Sequence, residues 1–403
     1  MTRSGSRSSA GAALVLRPGR EKSLVRRHPW VFSGAVDRVS GNPDAGQTVA
    51  VRAADGAFLA WAAYSPHSQI RARVWSWDEG DRIDEAFLHA RIAAATARRH
   101  RLVATTDAVR LVHGEADGIP GLICDRYADV VVLQVSAAGA ERWREVLVDA
   151  VLAETGCRVA YERSDLDVRS LEGLPPRAGP LRGELPGPAV TIAEHGLRYR
   201  VDVARGQKSG FYLDQRANRG LVRALAGGRD VLNCFCYSGG FTLDALTGGA
   251  RSALSLDSSA PALELARENA RLNALEDARS QWLEADAFAA LRKLRDAGRA
   301  FDLVVLEPPK FAPTAAHAQR AWRAYKDINL LALKLLRPAG RLVTFSCSGG
   351  VSPELFQKIV AGAASDAGVD VQLLERLHAD DDHPVTLAFP EGEYLKGLLL
   401  ERR

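Results

Sequence analysis

From residue 190 onwards, apolar runs of strand length alternate with stretches of helical periodicity, and this alternation constrains the fold more than any other feature of the chain. Parallel strands need long crossover connections, which helices usually supply, so the pattern predicts a doubly wound, mostly parallel α/β sheet. The predicted strands lie within residues 229–241, 250–257, 281–286, 301–311 and 340–348. Ligands of such sheets bind at the carboxyl ends of the strands, so the residues that follow each strand are the first candidates for a site.

Glycine and acidic residues follow the first three predicted strands. Gly239 and Gly240 come after the first, Asp257 ends the second and Asp286 ends the third. A glycine turn lets a ligand approach the backbone closely, and an acid about 20 residues further on can bind a ribose hydroxyl. Neither G-x-G-x-x-G nor a P-loop occurs, which favours a nucleoside such as S-adenosylmethionine over a dinucleotide or a nucleoside triphosphate. The spacing alone leaves open another nucleotide, or none.

An acid-Pro-Pro turn and a cysteine end the last two strands. Glu307, Pro308 and Pro309 form a rigid turn whose acid can face a bound ring, although the same turn can also serve only to end a strand. Cys347 could be no more than a small buried apolar residue. Beside a bound base, however, its thiolate can add to C6 of cytosine and so activate C5 toward a methyl sulfonium, if nearby cations lower the thiol pKa.

Length and composition bound the class of protein. A chain of 403 residues is long enough for two or three domains, and 47% hydrophobic with 25% charged residues is typical of globular proteins. No apolar run approaches the ~18–20 residues of a membrane helix, and no signal peptide is evident at the N-terminus. Five cysteines without a C-x-x-C pair indicate neither a disulfide framework nor a zinc site. We therefore expect a soluble cytoplasmic protein without a metal.

Basic residues are concentrated at the front of the chain. Residues 1–75 carry a formal charge of +7, whereas the whole chain carries +4. The cluster lies close to Trp30 and comprises Arg17, Arg20, Lys22, Arg26, Arg27 and His28. Basic groups beside an aromatic ring suit a folded RNA, although a solvated basic surface and a core position for Trp30 are the simpler readings.

Changes of pattern divide the chain into four parts. Residues 1–12, rich in Ser, Gly and Arg, predict a disordered tail, and the short alternating runs of 13–78 predict a small β-barrel. Residues 79–190 predict a central mixed α/β domain that ends in a Pro- and Gly-rich connector at 171–188, and the parallel sheet occupies 191–403.

Eight segments, in this order, resemble a known family over nearly the whole chain. The chain is similar to the bacterial large-subunit (23S) ribosomal RNA cytosine-C5 methyltransferases that carry an N-terminal PUA domain. The segments are LRPGREKSLVRRHPWVFSGAV (16–36), HGEADGIPGLICDRYAD (113–129), YERSDLDVRSLEGL (161–174), GQKSGFYLDQRANR (206–219), NCFCYSGGFT (233–242), EPPKF (307–311), FSCS (345–348) and FPEGEYLKG (389–397).

The resemblance implies a PUA domain at 13–78, a central domain that helps to hold RNA, and a Rossmann-like class I methyltransferase domain. Cys347 would be the nucleophile and Glu307 a contact to the cytosine ring. The implied S-adenosylmethionine contacts are Gln207, Phe211, Asp214, Arg216, Tyr237, Ser238, Gly239, Gly240, Phe241, Asp257 and Asp286. The implied RNA contacts are Arg20, Lys22, Arg26, Arg27 and Lys310. The partner would be large-subunit ribosomal RNA, and a homodimer is compatible with the family.

One departure leaves alternatives open. The family pattern at the fourth strand is Asp-Pro-Pro, and here Glu307 replaces the aspartate, which moves the carboxylate by one methylene. Because of this change, a ribosome assembly factor that binds RNA but whose catalytic site has decayed stands beside C5 methylation. Methyl transfer to a nitrogen of an RNA base is another reading, since acid-Pro-Pro turns also serve amino-group methylation. The base that removes the C5 proton is not identified by the sequence, although His383 is a candidate.

Overall fold

The computed structural model describes residues 11–311 and 318–403, so ten of the twelve residues of the expected disordered tail lie outside it. The alternating runs that follow form a six-stranded mixed sheet in the order β2-β6-β5-β4-β1-β3. Its apolar side chains enclose a small core of their own, as expected for a small β domain. The elements are β1 (Ala13–Leu16), α1 (Lys22–Val25), β2 (Trp30–Phe32), β3 (Val36–Ser40), β4 (Thr48–Arg52), β5 (Phe58–Tyr64) and β6 (Ile70–Ser76).

A second, five-stranded sheet follows in the order β11-β10-β9-β8-β7. Strands β9 and β10 are parallel, and the chain between them forms helices α4 and α5, which supply the crossover that a parallel pair needs. The elements are α2 (Glu85–Arg98), α3 (His100–Val103), β7 (Ala108–His113), β8 (Leu122–Tyr127), β9 (Val130–Val135), α4 (Ala138–Arg142), α5 (Arg144–Thr155), β10 (Val159–Ser164), α6 (Val168–Leu171) and β11 (Arg177–Arg182).

Strand β11 lies inside the segment that its proline and glycine content predicts to be a connector. The strand pairs with β10 alone and forms the edge of the sheet. An edge strand tolerates Pro180, whose missing N–H would break the ladder of a central strand, and Gly179 adopts a φ of 143° that glycine alone adopts readily. This segment therefore forms a strand because β10 is available to pair with it, and not because of its own residue composition.

The last part of the chain forms a seven-stranded sheet in the order β16-β15-β14-β17-β18-β20-β19. Strands β14 to β18 run parallel, β20 runs antiparallel to both neighbours, and the helices cover both faces, so the predicted doubly wound fold is confirmed. The strands are β14 (Asp230–Cys234), β15 (Ser252–Asp257), β16 (Ser280–Glu284), β17 (Phe301–Leu306), β18 (Leu336–Ser346), β19 (Val371–Leu377) and β20 (Lys396–Arg402). A ribbon of β12 (Val190–Glu194) and β13 (Leu197–Val201) precedes them.

Local sequence explains where the helices of this part begin. Ser259, Asp286 and Ser352 each accept a backbone N–H from the first turn of the helix that follows them, which satisfies a donor that the helix itself leaves unpaired. The helices are α7 (Arg216–Leu225), α8 (Gly240–Thr247), α9 (Ala260–Leu272), α10 (Ala287–Asp296), α11 (Ala318–Lys334) and α12 (Pro353–Ala367).

The chain forms two compact units, neither of which is one continuous stretch. The first unit comprises the described part of Met1–Val190 together with Val201–Gly210 and Asp382–Gly392. The second unit comprises Thr191–Arg200, Phe211–Asp381 and Glu393–Arg403. The second unit therefore contains the parallel sheet, and the first contains the two sheets that precede it.

Candidate active site

The carboxyl ends of neighbouring parallel strands bring the predicted side chains to one edge of the seven-stranded sheet. Asp257 is the last residue of β15, Glu307 directly follows β17 and Cys347 directly follows β18. Strands β17 and β18 are adjacent, and Leu306 pairs in register with Thr344. Glu307 and Cys347 therefore leave the same edge of the sheet within a few residues of the same level.

A strained turn follows β14. Phe235 and Tyr237 have φ values of 62° and 46°, and Gly239, at 83°, completes an alternation of left-handed residues. Left-handed backbone in bulky residues costs about 1–3 kcal/mol each, so the surrounding contacts must hold it in place. One such contact is the Tyr237 N–H, which donates to Asp257 Oδ2 at 2.9 Å, and Asp257 Oδ1 accepts the Ser259 N–H at 2.9 Å.

Gly240 begins helix α8 with its backbone against an arginine. A Cβ atom at this position would lie 2.9 Å from Arg219 Cδ, so only glycine fits without a shift. Arg219 is itself held by two hydrogen bonds to Glu194, of 2.7 and 2.8 Å, and its guanidinium lies over the Phe211 ring. The remaining turn residues, Ser238 and Phe241, are buried.

The segment that the resemblance assigns to S-adenosylmethionine divides between the two units. Phe211, Asp214 and Arg216 are buried in the second unit, where Asp214 Oδ2 accepts the Tyr394 hydroxyl at 2.7 Å. Arg216 contacts the carboxylates of Asp380 and Glu194. Gln207, by contrast, belongs to the first unit and is exposed. Asp286 is also exposed and caps α10. The roles of these residues stay predictions.

Glu307 has a partner that the sequence analysis did not single out. Gln215 Nε2 donates to Glu307 Oε1 at 2.7 Å, and Asn218 Nδ2 donates to Gln215 Oε1 at 2.6 Å. The bond from Asn218 fixes which end of the Gln215 amide faces Glu307. Gln215 lies between Asp214 and Arg216, which are both predicted cofactor contacts. This position is the sequence feature that could have indicated a role for Gln215.

Cys347 differs from the other cysteines of the chain in its exposure. Cys124, Cys157, Cys234 and Cys236 are buried, whereas Cys347 is partly exposed. Burial raises the pKa of the Cys124, Cys234 and Cys236 thiols, which makes them poor nucleophiles. Strand β14 ends at Cys234, so Cys236 lies in the strained turn that follows it.

Both neighbours of Cys347 are fixed. Ser346 and Ser348 are buried; the Ser348 hydroxyl lies 2.9 Å from the Tyr325 hydroxyl, and its carbonyl accepts a 2.8 Å hydrogen bond from Lys396 Nζ. Burial raises the pKa of Tyr212, and the negative charges of Glu307, Asp214 and Cys347 raise it further, which places these groups around one phenol.

The basic residues at the front of the chain lie on the surface of the first unit. Arg20, Lys22, Arg26 and Arg27 are exposed, and none of them forms an ion pair within residues 11–311 and 318–403. The Arg27 guanidinium lies 5.1 Å from the Trp77 ring centroid. Trp30 is partly buried and donates to Glu115 Oε1 at 2.7 Å, so its indole N–H is already engaged. In the second unit, Lys310 is exposed just beyond the Glu307 turn.

His383, the candidate base, lies in the first unit. It is buried, and its Nδ1 lies 2.6 Å from Asp382 Oδ1. In the part of the chain that the structure describes, no group of three or more His, Cys, Asp or Glu side chains could hold a metal ion. Within the same residues, no helix has the length and apolar character needed to cross a membrane.

The edge of the sheet fits a nucleoside with a cationic group. Three left-handed residues shape the turn before Gly240, and the Asp257 carboxylate adds negative charge beside it. This charge suits an adenosine with a sulfonium better than a pyrophosphate, because a carboxylate attracts a cation and repels a phosphate group. Tyr237–Phe241 and Asp257 would hold S-adenosylmethionine in this cradle.

Comparison with known proteins agrees with this geometry. Residues 178–399 match the family described as S-adenosylmethionine-dependent methyltransferase, and residues 14–77 match a PUA-like domain. The fold and the site thus define an S-adenosylmethionine-dependent methyltransferase with a PUA-like domain at its front. Ribosomal RNA large subunit methyltransferase I of Shewanella denitrificans is 50% identical over 96% of this chain and 98% of its own, and that of Shewanella amazonensis is 52% identical over the same shares. The chain belongs to this family.

Solved structures show the same fold. A candidate SAM-dependent methyltransferase from Streptococcus mutans superimposes with a TM-score of 0.83 at 21% identity, covering 96% of this chain and 99% of its own. The candidate methyltransferase SMU.776, complexed with SAH, superimposes with a TM-score of 0.85 at 22% identity over the same shares. The methyl donor of this protein is S-adenosylmethionine, in agreement with the family that it matches.

Proposed function

We propose that the protein transfers a methyl group from S-adenosylmethionine to C5 of a cytosine in large-subunit ribosomal RNA. The RNA substrate is supported by the relatives, which carry the name ribosomal RNA large subunit methyltransferase I and match along nearly the whole chain. The choice of C5 rests on one observation: Cys347, the partly exposed thiol, follows the strand next to the one that Glu307 follows.

Carbon C5 of cytosine is a poor nucleophile, and the proposed role of Cys347 is to change that. The Cys347 thiolate adds to C6, the C5–C6 π electrons become available at C5, and C5 is then able to accept a methyl group. S-adenosylmethionine supplies this methyl as an electrophile on a sulfonium. Loss of the C5 proton to a base afterwards returns an electron pair to the ring, which re-forms the double bond as Cys347 leaves from C6.

Glu307 would hold the cytosine ring during these steps. Its carboxylate can accept a hydrogen bond from the exocyclic amine, or stabilise a protonated ring nitrogen while C6 carries the cysteine. The extra methylene relative to the family's aspartate lets the carboxylate turn aside, and Gln215 holds one of its oxygens at 2.7 Å. An aspartate has fewer rotatable bonds and is therefore held more rigidly. We infer that the hydrogen bond from Gln215 restricts the longer Glu307 side chain to a comparable extent.

The experiment compares wild type with Cys347→Ser, using labelled S-adenosylmethionine and unmodified large-subunit ribosomal RNA. We expect 5-methylcytidine from wild type and at least a thousandfold less from the variant, since serine cannot supply the thiolate, with S-adenosylmethionine binding unchanged. Cys157→Ser, in the first unit, is the matched control and should retain activity. The product nucleoside is identified by mass spectrometry.

Each of the other readings predicts a different result. An N-methylated nucleoside that is formed equally by Cys347→Ser would establish amino methylation and exclude the thiol mechanism. Tight RNA binding without any product, on naked RNA and on precursor particles alike, would instead favour an assembly factor.

A further inference from the structure

Lys396 is a buried lysine of the second unit. It is the first residue of β20, pairs in register with Ser346 of β18 and is only 5% exposed. Its Nζ donates to the Ser348 carbonyl at 2.8 Å, and it forms no ion pair within the described residues. A buried ammonium without an ion-pair partner is costly, so either the amine gives up its proton or a nearby anion stabilises the charged form.

A candidate for that anion is the thiol of Cys347, which lies between Ser346 and Ser348 in the chain. Lys396 pairs with the residue before Cys347, and its ammonium hydrogen-bonds to the carbonyl of the residue after it, so the lysine side chain runs along the backbone segment that carries Cys347. We propose that Lys396 is a positioning residue whose ammonium stabilises the thiolate form of Cys347. The proposal rests on the proposed function for the role of the thiolate, but not for the interaction itself.

The charges around the pair support this assignment. Burial lowers the pKa of Lys396, and Lys310 lowers it further, whereas the charges of Cys347 and Glu393 raise it, with Cys347 the stronger of these two. An interaction between two titrating groups is reciprocal, so a thiolate that favours the ammonium is favoured by it to the same extent. The negative charge of Cys347 also raises the pKa of the Tyr212 and Tyr325 phenols, and that of Glu307 raises the pKa of Tyr212 further; none of these three partners brings a positive charge.

The hydrogen bond from Lys396 also fixes the backbone that carries the thiol. Together with the Tyr325 hydroxyl at 2.9 Å from Ser348 Oγ, it holds the residue after Cys347 by two side chains. A purely structural lysine would do only this. Lys396→Gln keeps a donor for the Ser348 carbonyl and removes the charge, whereas Lys396→Arg keeps the charge, so the two variants separate the roles.

The test measures the rate of alkylation of Cys347 by iodoacetamide against pH in the full-length protein, with the modified peptide quantified by mass spectrometry. We expect Lys396→Gln to raise the midpoint of the titration by about one pH unit. Lys396→Arg keeps the positive charge, so its midpoint should stay close to that of wild type. Near neutral pH the rate should fall about three- to tenfold, because a thiolate of higher pKa is the stronger nucleophile and offsets part of the loss. The exposed Lys358→Gln is the matched control.

An unchanged midpoint in Lys396→Gln would overturn the proposal, whatever the methyl transfer activity does. If Lys396→Gln fails to fold, the wild-type titration still decides, because a midpoint at or above the ordinary thiol value of about 8.5 contradicts a stabilised thiolate. Failure of the proposed function gives a different pattern: the midpoint shifts in Lys396→Gln, but Cys347→Ser still methylates RNA.

Discussion

Gln215, which ends the short 3₁₀ helix before α7, and Glu307, which follows β17, form a 2.7 Å hydrogen bond, and Asn218 orients the amide that donates it. The three side chains fix the carboxylate at the carboxyl end of β17 in a way that the acid-Pro-Pro turn cannot achieve alone. A hydrogen bond to a charged group contributes about 1.5–3 kcal/mol, so the loss of this bond should change the reaction rate measurably.

We therefore expect Gln215→Ala to lower kcat about tenfold or more and to leave the KM for S-adenosylmethionine unchanged, because the carboxylate loses its position and the cofactor cradle is untouched. Steady-state kinetics with ribosomal RNA measure this. Gln281→Ala, an exposed change in β16, serves as the control. Unaltered kcat in Gln215→Ala would mean that Glu307 does not act at the reacting base.

Asp257 provides the second prediction. Its carboxylate accepts the Tyr237 and Ser259 N–H groups, and in the proposed cofactor site it would supply the negative charge. Asp257→Asn removes the negative charge, and the NH2 group of the new amide would face one of the two backbone N–H groups, which cannot accept a hydrogen bond. We therefore expect the binding of S-adenosylmethionine to weaken at least tenfold in isothermal titration calorimetry. Asp277→Asn, at an exposed turn, is the control. Equal affinities of the two variants would remove Asp257 from the cofactor site.

The exposed basic residues of the first unit predict a change in salt dependence. Each phosphate contact contributes about 0.7–0.9 to the slope of log affinity against log salt. Replacing Arg20, Lys22 and Arg26 by Gln should therefore make the slope shallower by about two and weaken RNA binding without altering cofactor binding. Lys293→Gln with Lys358→Gln is the control pair. A slope that is the same for both sets would place the RNA elsewhere.

His113 predicts how stability depends on pH. Burial, Arg110 and His383 lower its pKa from 6.5 to about 2, and Arg110 Nη1 lies 3.3 Å from His113 Nδ1, as a neutral ring requires. A ring that binds its proton less well when folded contributes stability that is complete above pH 6.5 and declines as the pH falls toward 2, by about 1 kcal/mol per unit.

The variant His113→Asn lacks this proton-linked loss. Its free energy of unfolding in urea should change less between about pH 7 and about pH 5 than that of wild type, by roughly 1–2 kcal/mol. The exposed His89→Asn should retain the wild-type dependence. If the free energy of unfolding of His113→Asn falls as much as that of wild type at acid pH, another group is responsible for the pH dependence.

The sequence predicts the parallel sheet and its strand ends well, because both depend on local apolar runs and on the residues directly after them. Asp257, Glu307 and Cys347 lie where those runs end. Local sequence patterns do not predict the role of a residue whose partners lie far away in the chain. Lys396 acquires its setting only because β20 inserts beside β18, and β11 becomes a strand only because β10 is available to pair with it. Periodicity carries no information about either pairing.

The position of β20 has a consequence for truncation. This strand, Lys396–Arg402, lies between β18 and β19 and therefore fills an interior place in the sheet. A deletion of 396–403 would leave β19 without the strand it pairs with and Cys347 without Lys396. So small a deletion should therefore be as harmful as a much larger one, because the sheet would expose two unpaired edges in its middle.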